Sequence, residues 1–263
     1  MSTRILAATI LASALLSPPA RAEVDIGAGI EHYTWEETLE GSPLQPREDG
    51  FRYALHLKWI EDGNRGLLYA YNAKLYSGRV AYDTFTLVGN TPVSVQTDYV
   101  GTIHEGQLIF RERLDSYRLD YVAGLGWDSW RRNINRSQIE DYSIWFLRTG
   151  FSLDLPRQGT GFHGGGGLKV PINTIEDAHL DGLGFNSNPQ LSPGKGVSLY
   201  AELAYRASKY WDIVGYYDSW RFSQSDPVYV TTTDPTLCGS TLCGIVQPQS
   251  SMNAFGLKAM LSF

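Results

Sequence analysis

The segment "EDAHLDG" sets Asp177 two residues before His179. A carboxylate and an imidazole so spaced share one face of an extended strand, and the two types are those of general acid–base chemistry. The other histidines are His32, His56, His104 and His163. None of the five is followed two residues later by serine: those positions hold Thr34, Lys58, Gly106, Gly165 and Asp181. A base–nucleophile pair of the His-x-Ser kind therefore has no support in the sequence. Cys238 and Cys243, in "CGSTLCG", are expected to pair as a local disulfide if the chain is exported. No His, Asp or Glu lies between them to suggest a metal. The run "GFHGGGGLKV" lacks the Gly-Lys-Ser/Thr ending of a phosphate loop. Its glycines are read as curvature, or as room for a bulky neighbour. No metal and no cofactor is expected.

Charged residues elsewhere fall into a pattern. FRYALHLKW sets Phe51, Tyr53, Leu55, Leu57 and Trp59 against Arg52, His56 and Lys58. SYRLDYVAGLGWD sets Leu119, Tyr121, Leu125 and Trp127 against Arg118, Asp120 and Asp128. GVSLYAELAYR sets Leu199, Leu203 and Tyr205 against Glu202 and Arg206. Period-two alternation of this kind marks strands with one apolar and one polar face. Ten such strands can be counted, the last being residues 252–263, and no helical period appears. Short turns alternate with long connections near 36–50, 77–98, 129–141, 171–195 and 223–250. Aromatics cluster at both strand ends: Trp59, Tyr69, Phe110, Tyr117 and Phe151 at the short-turn end, and Tyr33, Trp35, Phe51, Trp127, Trp145 and Trp220 at the other.

The chain opens MSTRILAATILASALLSPPARAEV: Arg4, an apolar run to Leu16, then Ala20-Arg21-Ala22. Residues 1–22 are expected to be a secretory signal peptide, leaving 23–263 as one domain. A spanning helix needs about 20 apolar residues, and no later stretch supplies them. Without Arg4 and Arg21, 20 basic residues face 28 acidic ones, a formal charge of −8. That balance excludes a nucleic-acid partner, which requires a basic face.

The signal, the even strand count and the final amphipathic strand "SMNAFGLKAMLSF" resemble Gram-negative outer-membrane β-barrels. The resemblance implies an all-β, closed, antiparallel up-and-down transmembrane barrel of ten strands. It also implies periplasmic termini, long extracellular loops, lipid and lipopolysaccharide as neighbours, and a monomer. Phe263 is, by resemblance, part of the signal read by the barrel-assembly machinery. The alternating residues then split into a lipid face and a lumen. Arg52, Lys58, Lys74, Glu105, Arg118, Asp120, Glu202, Arg206 and Lys258 are expected to form a lumenal salt-bridge network that plugs the barrel. The functional expectation is a non-enzymatic outer-membrane protein with surface loops. Two alternatives stand beside it. One is a narrow channel for small polar solutes. The other is a surface hydrolase, omptin-like or lipid-directed, because Asp177 and His179 are similar to the Asp-x-His element of omptins. The omptin acidic pair has no counterpart: Asp83 and Asp98 are far apart.

Overall fold

The structure is a computed structural model describing residues 22–41, 45–85, 91–135, 138–156 and 159–263. The expected signal peptide, but for Ala22, lies outside the described residues. Seven long strands come first: β1 (Ala22–Thr38), β2 (Arg47–Glu61), β3 (Gly66–Phe85), β4 (Pro92–Leu114), β5 (Tyr117–Asn135), β6 (Gln138–Asp154) and β7 (Gly161–His179). Two short pieces follow, β8 (Gln190–Leu191) and β9 (Gly194–Lys195). Then come β10 (Ser198–Ser208), β11 (Trp211–Ser223), the hairpin β12 (Val228–Thr231) and β13 (Leu242–Ile245), and β14 (Gln249–Ser262). Each of β1 to β7 pairs antiparallel with the next, β7 pairs with β10, β10 with β11, and β11 with β14. β14 then pairs with β1 from Asp25↔Ser262 to Thr38↔Gln249 and closes a barrel of ten strands.

The predicted alternation sorts as expected around most of the ring. Leu55, Leu75, Leu108, Leu125, Leu203 and Leu257 lie on the outer wall, each more than two-fifths exposed. Every one of the ten barrel strands adds at least one large apolar residue to this belt. Toward the short turns the belt ends in Tyr69, Phe110, Phe151, Phe162, Trp211 and Phe263, all exposed. The Phe263 N–H donates to the Val24 carbonyl at 2.9 Å, tying the last residue to β1.

Two expectations are corrected. The strands run well into segments read as long loops: β3 reaches Phe85 and β4 begins at Pro92, so much of 77–98 is strand. Tyr33, Trp35 and Trp220, expected in the outer aromatic ring, point inward and are at most 1% exposed. They belong to a core with Tyr76, Tyr99, Trp130, Tyr142, Ile144 and Phe146 that fills the barrel toward its loop end. Beyond the apolar belt the faces change character. Outward positions become charged, as in Arg79–Asp98 at 2.6 Å and Arg131–Asp141 at 2.7 Å. Inward positions become aromatic, so a pattern tuned to a greasy exterior no longer reads as strand.

Glycines make this packing fit. Tyr76 stands directly opposite Gly101, Phe146 opposite Gly126, Tyr216 opposite Gly256, and Tyr200 opposite Gly167. In each pair the ring or hydroxyl sits where a Cβ on the glycine would be. The bare backbone lets an inward ring lie flat on the neighbouring strand instead of jutting across the lumen. Within the Gly164–Gly167 run, Gly167 alone faces a bulky side chain, the Tyr200 hydroxyl; a Cβ at any of the four would first meet a backbone oxygen of a neighbouring strand.

Gly126→Ala should drive its methyl into Phe146, which is 1% exposed and has nowhere to go. A loss of about 1–3 kcal/mol is expected, read as a lower urea midpoint of the heat-modifiable folded band. Leu125→Ala on the outer wall should show no such steric effect.

Candidate functional site

The lumen is built in three tiers. In the middle tier, ion pairs run along the wall, three of them reaching over one intervening strand and Arg52–Glu31 joining adjacent strands. Lys258 on β14 meets Glu202 on β10 at 2.7 Å, and Lys74 on β3 meets Glu31 on β1 at 2.5 Å. Arg148 on β6 meets Glu105 on β4 at 2.9 Å, passing over Gly124. Arg52 donates to Glu31 from Nε and Nη2 at 2.9 and 2.6 Å. Lys58 faces the same space and makes no ion pair within 4 Å among the described residues. Because these pairs follow the wall, they leave a chamber of about 230 Å³, lined by His56, Lys58, Gln107, Tyr200, Glu202 and Lys258 among others.

The floor lies at the short-turn end. There the chain after β6 folds into the barrel, with Leu155 buried. Its carbonyl accepts from Arg118 Nη2 on β5 at 2.8 Å and from Arg206 Nη1 on β10 at 3.1 Å. Arg118 also reaches Asp154 at 3.0 Å and, across the ring, Glu23 at 3.4 Å. Arg206 pairs with Asp212 at 2.9 Å, and Arg111 with Asp120 at 2.7 Å.

The roof is made of contacts that cross the lumen. Trp35 on β1 meets Tyr142 on β6, the strand diametrically opposite in a ring of ten, at 5.5 Å between ring centroids. Trp220 on β11 donates to Asp128 on β5 at 2.9 Å, and Tyr76 to the same carboxylate at 3.1 Å. Above them Arg132, 1% exposed, is held by three carboxylates: Glu140 at 2.6 Å, Glu48 at 2.8 Å and Glu37 at 3.3 Å. Tyr99 donates to Glu48. Glu176 is buried alongside, and Gln247, with its amide turned to donate, lies 3.1 and 3.2 Å from its oxygens. Burial pushes both Glu37 and Glu176 above the ordinary carboxyl value of 4.5. Neighbouring carboxylates add to the rise, and Arg132 opposes it.

The residues expected in the lumenal network all face inward, but the middle tier pairs sideways, and aromatic rings and Leu155 also fill the interior. Arg132, Glu37, Glu48, Glu140 and Glu176 were missed, because all lie in segments read as loops or at their edges. The bulge where β7 pairs with β6 was also invisible. It inserts Ile172 and shifts the parity, so that Glu176 turns inward while Asp177 and His179 turn out. Asp177 accepts from Gln190 at 2.9 Å, and His179 lies 3.1 Å from Asp141. Cys238 and Cys243 sit at disulfide distance, with Cα atoms 5.9 Å apart.

Over the loop end, the connections after β7 and after β11 pack on each other. Leu180, Phe185, Leu191, Val230 and Cys243 form a small core of their own. The Thr232 hydroxyl donates to the Gly184 carbonyl at 2.7 Å, joining the two connections.

No protein-family model and no characterised protein matches the chain in sequence. Among solved structures, the outer membrane protease OmpT from Escherichia coli is similar, with a TM-score of 0.54. Identity is 11%, over 94% of this chain and 99% of that one. The fold is that of an outer-membrane barrel. An outer membrane channel from Pseudomonas putida F1 matches at 10% identity over 94% and 97% of the two chains, with a TM-score of 0.40. The translocator domain of the autotransporter NalP from Neisseria meningitidis matches at 9% over 98% and 94%, with a TM-score of 0.39.

The roof carries a signed pH dependence. Glu37 and Glu176 keep protons when folded at pH values where the unfolded chain has lost them. Their contribution to stability should therefore be fully present below 4.5 and be lost as pH rises through their raised values. Glu176→Gln should flatten that slope in urea titrations taken from pH 4 to pH 8. Arg132→Gln leaves buried carboxylates without their cation, and should cost about 3–5 kcal/mol in the same assay at neutral pH.

Proposed function

We propose that this chain is an outer-membrane barrel that neither conducts nor catalyses, and that it meets its surroundings through the lid over its loop end. The apolar belt on all ten strands, ending in aromatics, supports the membrane placement. In this reading residues 1–22 are the export signal, both termini are periplasmic, and the loop end faces out. Lipid and lipopolysaccharide surround the monomeric barrel, and the assembly machinery engages the strand ending at Phe263. The roof carries the functional reading: contacts between opposite strands close the lumen above the chamber, and Arg118, Arg206 and Leu155 close it below. What remains for interaction is the lid, where Tyr229 and Leu242 are exposed on the β12–β13 hairpin.

A surface hydrolase is the second reading, favoured by the His179–Asp141 contact at 3.1 Å and by the shared fold with a protease. The outward aim of His179 and Asp177 is the reason we place it second.

Purified barrel in planar bilayers should be electrically silent. Trp220→Ala, which removes a roof ring and its bond to Asp128, should produce brief openings. Steady conductance from the unmodified protein would replace the closed barrel with a channel. Peptide cleavage abolished by His179→Ala would move the hydrolase to first place.

A further inference from the structure

The outer wall of the belt is largely apolar, and a polar cluster interrupts it in the half nearer the loop end. His104 on β4 faces outward there, between Tyr71 on β3 and Trp127 on β5. Its Nδ1 lies 2.6 Å from the Tyr71 hydroxyl, and its Nε2 lies 2.9 Å from the Thr102 hydroxyl. The imidazole stacks on Trp127 at 5.9 Å with 15° between planes, and Trp127 Nε1 donates to Ser143 at 2.8 Å. A polar cluster has thus been built on a surface where polar groups are costly.

Its hydrogens do not balance. A neutral imidazole carries one N–H, and the two hydroxyls carry one hydrogen each, making three donors for two hydrogen bonds. If Tyr71 donates to the ring, the ring donates to Thr102, and the Thr102 hydrogen is left over. If Thr102 donates to the ring, the Tyr71 hydrogen is left over. A protonated ring would free both. Among the described residues neither hydroxyl has another partner. In hydrocarbon an unmet hydroxyl is expensive, so the surrounding phase must supply an acceptor.

Depth selects that acceptor. From Phe110 to His104 the strand climbs about 15 Å, at ~3.3 Å per residue and a tilt of about 40°, within a band about 25 Å tall. Thr102 lies one step nearer the outer edge, close to Val100, the last large apolar residue of β4 on that side. That is the zone of acyl linkages, below the headgroups. Beside His104 the wall carries only Ala73, and beneath it Gly106 leaves a gap between Tyr71 and Leu125, where an added Cβ would meet nothing within 4 Å. A hydrocarbon chain can lie in that dent with its first carbonyl at the hydroxyls.

We propose that Tyr71, Thr102 and His104 form a site on the outer wall for the acyl carbonyl of an outer-leaflet lipid, with the chain seated over Ala73 and Gly106. The inference rests on the membrane placement above. The test is to fold the protein in micelles holding equal amounts of dioleoyl phosphatidylethanolamine and its dialkyl ether analogue, and to count retained lipid by native mass spectrometry. The ester should be retained about fivefold over the ether, the size of one net hydrogen bond. The ratio should fall to one in the double variant Tyr71→Phe with Thr102→Val, which keeps the wall's shape. Displacement of the ester by added lipid A would assign the site to lipopolysaccharide, and no displacement would assign it to phospholipid. Both outcomes support an acyl carbonyl. An equal ratio in the unmodified, heat-modifiable protein overturns this proposal alone. Failure to fold into lipid overturns the membrane placement and this site with it.

Discussion

The pairing of β14 with β1 fixes the direction of every side chain in the wall. Once Asp25 faces Ser262 and Thr38 faces Gln249, the ring has ten strands and no free edge. Each strand then has one face toward the outside and one toward a space only a few side chains wide. Everything else is a response to that narrowness. Apolar residues go out, charges go in, and charges placed in so small a volume must meet partners or remain costly. Here they meet them along the wall. Glu105 reaches Arg148 over Gly124, and Glu202 reaches Lys258 past β11, so the middle of the barrel holds its charges and keeps a cavity as well.

The two ends are filled by different chemistry. At the turn end a backbone carbonyl, Leu155 O, is gripped by guanidinium groups from β5 and β10. At the loop end the interior holds a core of stacked rings, Trp130 on Tyr142 at 4.8 Å among them, topped by Arg132 and its glutamates. That upper core resembles the interior of a water-soluble domain more than a channel lining. Its outer wall, with pairs such as Arg79–Asp98, also resembles a soluble surface. One continuous sheet serves two solvents, and the inward face changes content where the outward face does.

This change explains what the sequence could and could not tell. Leu55, Leu57 and Trp59 against Arg52, His56 and Lys58 is a plain signal, because apolar out and charged in is the rule of the belt. Beyond the belt, Arg131 points out and Trp130 in, and the same period of two carries the opposite meaning. The segments 77–98 and 129–141 therefore looked like loops. Asp177 and His179 had the right spacing to share a face, but a bulge upstream decided which face, and no local pattern announced it. Partners such as Trp220 and Asp128 are far apart in the chain, so only the closed ring brings them together.

The grip on Leu155 has a bearing on how the ring is assembled. Arg118 lies one strand before the turn it holds, while Arg206 arrives on β10. Its bond to the Leu155 carbonyl spans 51 positions in sequence. The turn after β6 can be clasped on one side as soon as β5 and β6 pair, but the second clasp must wait for β7 and β10 to come round. Long-range contacts of this kind form late and slowly. The floor therefore acts as a latch: half-set during strand pairing, and locked once the far side of the cylinder is in place.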